Sequence, residues 1–266
     1  MLLGYSSLGQ PELSIKQCEA LAEEFALDFL ELRVLEGSLD LPAYFKSRGA
    51  EMSVVPVRVL GSSLRLTEAS LADLDDFFRY AELAHRLSVP YIRVFGGGRE
   101  GDSLPAEKFL QAAELINQIR ETSRRKGWSF EILLETHSAF ALPEYCKKLN
   151  ELLAEPISLI WDTHHTWKFA GATLEETWAK LGPWVRHVHY KDSITEGETF
   201  RYVLPGEGEF PGSALFDLLR EKQYEGGVSL EWEKLWHKEL PPLRTALEKF
   251  CQIARPRKPG ASARIA

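Results

Sequence analysis

Apolar residues in this chain fall into two alternating patterns. Short unbroken apolar runs of about five residues are separated by longer stretches in which apolar positions recur every three or four residues. The first pattern is that of strands buried on both faces, and the second that of helices with one buried side. Residues 2–6, 28–34, 51–60, 91–95 and 129–135 read as strands, followed by runs that start at Ser158, Trp184 and Gly227. Between and after them the helical period predicts helices at 14–26, 40–48, 67–87, 105–126, 142–152, 174–181, 212–222 and 242–254.

Local signals support these boundaries. Ser14 followed by Gln17 forms a capping box, Gly49 is a helix-ending residue, and Thr67 is placed to cap the third helix. Pro56 inside the third strand must sit where the sheet needs no donor. Eight strands and eight helices in strict alternation predict a parallel, closed (β/α)8 TIM barrel. An open doubly wound sheet would carry a dinucleotide fingerprint. The Gly96-Gly-Gly98 run after the fourth strand lacks both that pattern and a phosphate-loop lysine, so it reads as a flexible turn.

Four of the strand-like runs end in the same kind of chemistry. Leu-Glu135-Thr-His137, Trp-Asp162-Thr-His164-His165, His187-Val-His189-Tyr-Lys191-Asp192 and Ser-Leu-Glu231-Trp-Glu233 each carry acids or imidazoles where the apolar run stops. One such ending is also what a buried aspartate capping the next helix would look like. Glu135, Asp162, His189 and Glu231, however, lie 27, 27 and 42 residues apart. The first two gaps are one strand–helix unit of about 30 residues each, and the third is a unit with an insertion. In a barrel the C-terminal strand ends open on one face, so the four side chains converge. Three carboxylates and an imidazole suit one divalent metal ion, Mn2+, Mg2+, Co2+, Fe2+ or Zn2+. Without a cation they would repel one another, unless buried arginines paired with them.

These motifs resemble the four signatures of the xylose-isomerase-like barrels, and within them the sugar phosphate isomerase/epimerase group that includes the ketose 3-epimerases. The resemblance runs from the first strand to about residue 254. It implies that Glu135, Asp162, His189 and Glu231 bind one divalent metal, that Glu135 and Glu231 are the catalytic base and acid, and that His165 contacts substrate. Pro205-Gly-Glu-Gly-Glu-Phe-Pro211 is similar to a turn that the family carries after the seventh strand, and accounts for the long gap. The implied function is isomerisation or epimerisation of a keto sugar or sugar phosphate by proton transfer through an enediolate. A metal-dependent lyase that dehydrates a keto-cyclitol or a cyclic hydroxy acid would use the same ligands. A non-catalytic sugar-binding barrel and an apurinic-site endonuclease fit less well; the latter resembles a three-zinc site, and Ser6, Ser7, Arg58 and Arg93 are not zinc ligands.

Further residues are candidates for contacts with a small carbohydrate substrate. His137 lies two positions past Glu135, on the same strand face. His187 faces inward below His189, while His164 points away from His165. Arg33, Arg58 and Arg93 stand on the strands opposite the four ligands, with Glu31 beside them. With a divalent cation the four ligands carry a net charge of −1. Three arginines at the same mouth would leave +2, of which Glu31 neutralises one. That imbalance predicts an anionic group, a phosphate or carboxylate, on the substrate.

Composition narrows the classes without changing this picture. The 266 residues, 44% hydrophobic and 27% charged, supply one barrel domain over residues 1–254. A net charge of −7 argues against nucleic acid as a partner. Cys18, Cys146 and Cys251 are unpatterned and read as free thiols, and the start lacks a basic stretch before apolar residues. A cytoplasmic protein that does not enter membranes is expected, and a homo-oligomer is compatible with it. Residues 255–266 carry four basic residues and no acid, and read as a disordered tail.

Overall fold

A computed structural model describes residues 1–48 and 55–255. The basic tail beyond Arg255, the expected helix end at Gly49 and the start of the expected third strand lie outside the described residues. Eight parallel strands close into a barrel: β1 (Leu2–Ser6), β2 (Phe29–Leu32), β3 (Val57–Arg65), β4 (Tyr91–Phe95), β5 (Glu131–Glu135), β6 (Ser158–Asp162), β7 (Val185–Tyr190) and, last in the chain, β10 (Gly227–Leu230). β10 pairs with both β7 and β1 to complete the circle. The intervening β8 (Asp192–Glu196) and β9 (Thr199–Val203) form a separate antiparallel hairpin.

Helices α1 (Ile15–Glu24), α2 (Leu41–Arg48), α3 (Leu71–Leu87), α4 (Ala106–Lys126), α5 (Pro143–Glu151), α7 (Leu174–Leu181), α8 (Gly212–Glu221) and α9 (Leu243–Ala254) cover the outside. Their apolar sides form one continuous core with the outward-facing strand residues, for example Phe77, Ile116, Leu149, Leu215 and Phe250 against Ile92, Leu134, Leu159 and Val188. Inside the barrel a small apolar group, Val59, Leu133 and Ile160 with Tyr91 packed against it, fills the lower part. Above it the inward positions are polar. Strand alternation thus separates a dry floor from a charged mouth.

The expected element order holds, with four differences. β3 runs Val57–Arg65 rather than 51–60; Pro56 precedes it and supplies only a carbonyl, accepting from Leu30 N at 2.9 Å. α3 starts after Ser70, whose hydroxyl and Asp73 form the capping box. Thr67 is instead buried in the β3–α3 loop, where its amide donates to Gly96. The stretch between β7 and α8 is a hairpin followed by the Pro205–Pro211 turn, because 192–203 alternates well enough to pair with itself. Finally a short helix, α6 (Thr163–Lys168), starts directly at the end of β6. Cys18, Cys146 and Cys251 are all buried free thiols. Among the described residues no helix is long and apolar enough to cross a membrane.

Candidate active site

Glu135, Asp162, His189 and Glu231 meet at the barrel mouth, each offering a ligand atom within 4.8 Å of the others. All four are buried. Strand register brings them there: Asp162 lies beside His189, and Ser229, two residues before Glu231, lies on the other side of His189. His189 Nδ1 is 3.1 Å from Glu135 Oε1 and 3.3 Å from Glu231 Oε2. Asp162 does two things at once. Its Oδ1 accepts from His165 N at 3.0 Å and so caps α6, while Oδ2 faces the cluster. The helix-cap reading of this residue therefore holds, and the cap leaves Oδ2 turned toward the cluster.

The electrostatics of the mouth indicate what it is built to hold. Lys191 is buried, with Nζ at 2.6 Å from Glu231 Oε2, 2.6 Å from Glu233 Oε1 and 2.9 Å from Asp162 Oδ2. Arg93 Nη1 stands 3.2 Å from Glu135 Oε2. Glu135, Asp162, Glu231, Glu233 and, one layer deeper, Glu31 share this region with three cations, Arg33, Arg93 and Lys191, so these eight groups when ionised sum to −2. Burial, with Glu231 and Glu135 nearby, pushes the Asp162 carboxyl up to about 7, although Lys191 opposes the shift. Burial disfavours the His189 imidazolium, but Glu231, Glu31 and Glu135 outweigh it and raise His189 well above the usual range. Both shifts favour the protonated form of these groups. Asp162 Oδ2 and Glu135 Oε2 accept no aligned hydrogen bond despite their cationic neighbours. One divalent cation would supply the missing charge and use both orphaned oxygens, so the residues present fit such an ion.

Around this cluster the other expected site residues separate into three groups. His165 and His137 stay at the mouth, their rings stacked at 4.0 Å. His165 Nδ1 is buried with no hydrogen-bond partner, 3.9 Å from Glu100 Oε1, and burial disfavours the charged form of both imidazoles. Arg33 and Arg93 also face the mouth. Arg33 Nη2 donates to Ser63 Oγ at 3.1 Å, but its Nη1 has no partner, and no carboxylate among the described residues lies within ion-pair distance. Burial and the adjacent Arg93 lower the Arg33 guanidinium to about 10. Gly61 makes room for this pair: a Cβ there would meet Arg33 Cδ at 2.6 Å.

Arg58 does not belong to this mouth. It lies at the N-terminal end of β3, over the rings of Phe29 and Tyr91, and Nη2 donates to Arg186 O. The expectation that placed it with Arg33 and Arg93 is corrected by its position at the start of a strand that begins later than expected. Glu31 and His187 form a deeper layer and bond to each other rather than opening on the mouth. His164 turns away, Nε2 at 2.7 Å from Ser193 Oγ, among Trp167, Phe200 and Tyr202.

Lys191 and Glu233 also enter the mouth, although the sequence motifs assign neither a role. The signal for both was period two: each stands two positions beyond an inward-facing ligand. Asp192, the next residue, anchors the insertion. Its carboxylate accepts from the backbone N–H of Ser193, Gly206, Gly208 and Phe210.

The chain belongs to the xylose isomerase-like TIM barrel family, whose model matches residues 22–252. It is 26% identical over 156 residues to inosose dehydratase of Klebsiella pneumoniae, covering 50% of this chain and 52% of that protein. The chain thus spans about half the length of the curated relatives it matches. In structure it is similar to the probable 3-DHS dehydratase AsbF of Bacillus anthracis, with a TM-score of 0.78 at 16% identity over 97% of this chain and 100% of that one. It is also similar to an L-ribulose 3-epimerase, with a TM-score of 0.68 at 16% identity over 95% and 93%. At these identities the two structural likenesses speak for the fold.

Proposed function

We propose that this chain is a divalent-metal-dependent isomerase or epimerase of a keto sugar or sugar phosphate, acting by proton transfer through an enediolate. The observation that carries this reading is the placement of Glu135 and Glu231. They reach His189 Nδ1 from β5 and from the end of β10, at 3.1 and 3.3 Å, so two carboxylates flank one point. A divalent cation held by Glu135, Asp162, His189 and Glu231 would polarise the substrate carbonyl and favour the enediolate. Glu135 removes the proton next to the carbonyl, and Glu231 delivers one to the opposite face. His165 offers its ring nitrogens to substrate hydroxyls, and His137, whose Nδ1 is bonded to Ser138 Oγ at 2.8 Å, offers Nε2. The free Nη1 of Arg33 anchors an anionic substituent. Residues 1–254 act as one catalytic unit.

A second reading, dehydration of a keto-cyclitol or cyclic hydroxy acid, is favoured by Lys191 and by the inosose dehydratase relatives. It shares the proton abstraction; the ammonium then protonates a departing hydroxyl, and water leaves. The test is metal-loaded protein in D2O with ketoses, ketose phosphates and keto-cyclitols, followed by NMR. Deuterium at the epimerised carbon supports the first reading, and loss of water to an absorbing enone supports the second. No exchange and no product with any of these compounds would refute both.

A further inference from the structure

Glu31 is buried behind one of the candidate metal ligands, His189. It lies on β2, yet its carboxylate reaches across the barrel to β7 and β10. His189 Nε2 is 3.1 Å from Oε1 and 3.0 Å from Oε2; His187 Nε2 is 3.0 Å from Oε2, and Ser229 Oγ donates to Oε2 at 2.7 Å. Glu31 and both histidines are buried, so no water competes for these bonds.

We propose that Glu31 is a positioning residue that fixes the tautomer and ring angle of His189, holding its Nε2–H so that the bare Nδ1 is presented to the cation. This rests on the metal site put forward above. The physical reason lies in the two nitrogens of one ring. Nδ1 faces Glu135 and Glu231, and Nε2 faces Glu31. A neutral imidazole carries one proton, and a buried carboxylate that only accepts draws that proton to Nε2. His187 and Ser229 supply Glu31 with two more donors, which keeps it an acceptor and stops it rotating. Carboxylates behind metal-bound histidines commonly act this way. Glu31, His187 and His189 also have the spacing to hold a cation themselves. His189 Nε2 cannot do both, so the two arrangements are experimentally distinct.

The experiment uses the full chain and Co2+ and Zn2+ as probes. Isothermal titration should give one Zn2+ per wild-type chain. Glu31→Gln, which offers one acceptor and adds a donor facing a histidine N–H, should weaken Zn2+ binding about 10- to 100-fold. It should also shift the visible absorption of bound Co2+. Ser229→Ala, which removes one donor to Glu31 but leaves its bonds to both histidines, should weaken Zn2+ binding less than Glu31→Gln does. A purely structural role for Glu31 would lower the Tm of the metal-free variant and leave affinity and spectrum unchanged, and that result would overturn the proposal. Should Glu31→Gln not fold, 15N-histidine NMR of the Zn2+-loaded wild type decides: a proton on His189 Nε2 supports the assignment, and one on Nδ1, or two bound Zn2+, overturns it. Wild type that binds no cation would refute the metal site itself, whereas unchanged binding in Glu31→Gln refutes only the role of Glu31.

Discussion

Lys191 Nζ and Glu231 Oε2 meet at 2.6 Å inside a closed barrel, and the same ammonium touches Asp162 and Glu233. A fixed positive charge therefore stands beside the point where a cation would bind, and the two compete for the same oxygens. A unit charge about 4 Å away is worth about 4 kcal/mol at an effective dielectric of about 20. Even heavily screened, that leaves room for a tenfold effect. Lys191→Met is expected to bind Zn2+ or Mn2+ about tenfold more tightly while losing most turnover, because Glu231 is no longer held in place. Titration calorimetry beside a turnover assay checks both directions; weaker metal binding would show that Lys191 supports the site instead of opposing the ion.

The four-ligand assignment predicts loss of the ion when one donor goes. Asp162→Asn keeps an acceptor for the α6 cap at His165 N but removes the charge facing the cluster. It is expected to fold and to bind metal at least tenfold more weakly. His189→Ala is expected to abolish stoichiometric binding. Metal analysis after dialysis reads both, and full occupancy in either variant would show the site to be elsewhere.

Cation binding should release protons, with a sign set by the two raised groups. Asp162 is raised to about 7 and His189 is raised well above its usual value. Below pH 7 both hold a proton in the metal-free protein, and both must lose it to ligate. The apparent affinity is therefore expected to rise with pH, by about a hundredfold per unit below pH 7 and about tenfold per unit just above it. Calorimetry in buffers of different ionisation enthalpy measures the protons directly. A value near zero at pH 6 would contradict the charge balance described for the mouth.

Glu135→Gln and Glu231→Gln each keep an oxygen donor and lose the proton acceptor. Either change is expected to lower turnover by about 10²- to 10⁴-fold. For an epimerase the two should differ in isotope behaviour: one stops exchange of the substrate proton, and the other permits exchange but stops inversion. Equal residual exchange in both would speak against a two-base mechanism.

For Arg33 the expectation concerns substrate charge. A hydrogen bond to a charged group contributes about 1.5–3 kcal/mol. Arg33→Ala is expected to reduce efficiency on an anionic substrate roughly 10- to 100-fold and to leave its neutral analogue within about threefold. Pairs such as a ketose and its phosphate provide the comparison, and equal loss on both would remove the anion from the reading.

The closed barrel, and the convergence of Glu135, Asp162, His189 and Glu231, could be read from the chain because both follow from period. Two-residue alternation sets which side chains enter the barrel, and unit spacing sets which strand each sits on. What stayed hidden depends on distance across the barrel. Glu31 bonds to residues 156 and 158 positions away, which no local pattern reports. Arg58 resembles Arg33 and Arg93 in sequence, but β3 starts only at Val57, later than its apolar run predicts, and a shift along a strand moves a side chain from one end of the barrel to the other. The charge balance changes with it: losing Arg58 and adding Lys191 and Glu233 turns the single positive charge expected with a divalent ion counted in into a balance of zero.

The missing side chain at position 61 has an evolutionary consequence. Every glycine codon is one nucleotide from an alanine codon, and a single methyl group there would collide with Arg33 Cδ. One point mutation can thus evict a guanidinium from the mouth while all four cation ligands stay in place. If Arg33 anchors an anionic substrate as proposed, a duplicated copy of this gene could lose that preference in one step with Glu135, Asp162, His189 and Glu231 unchanged.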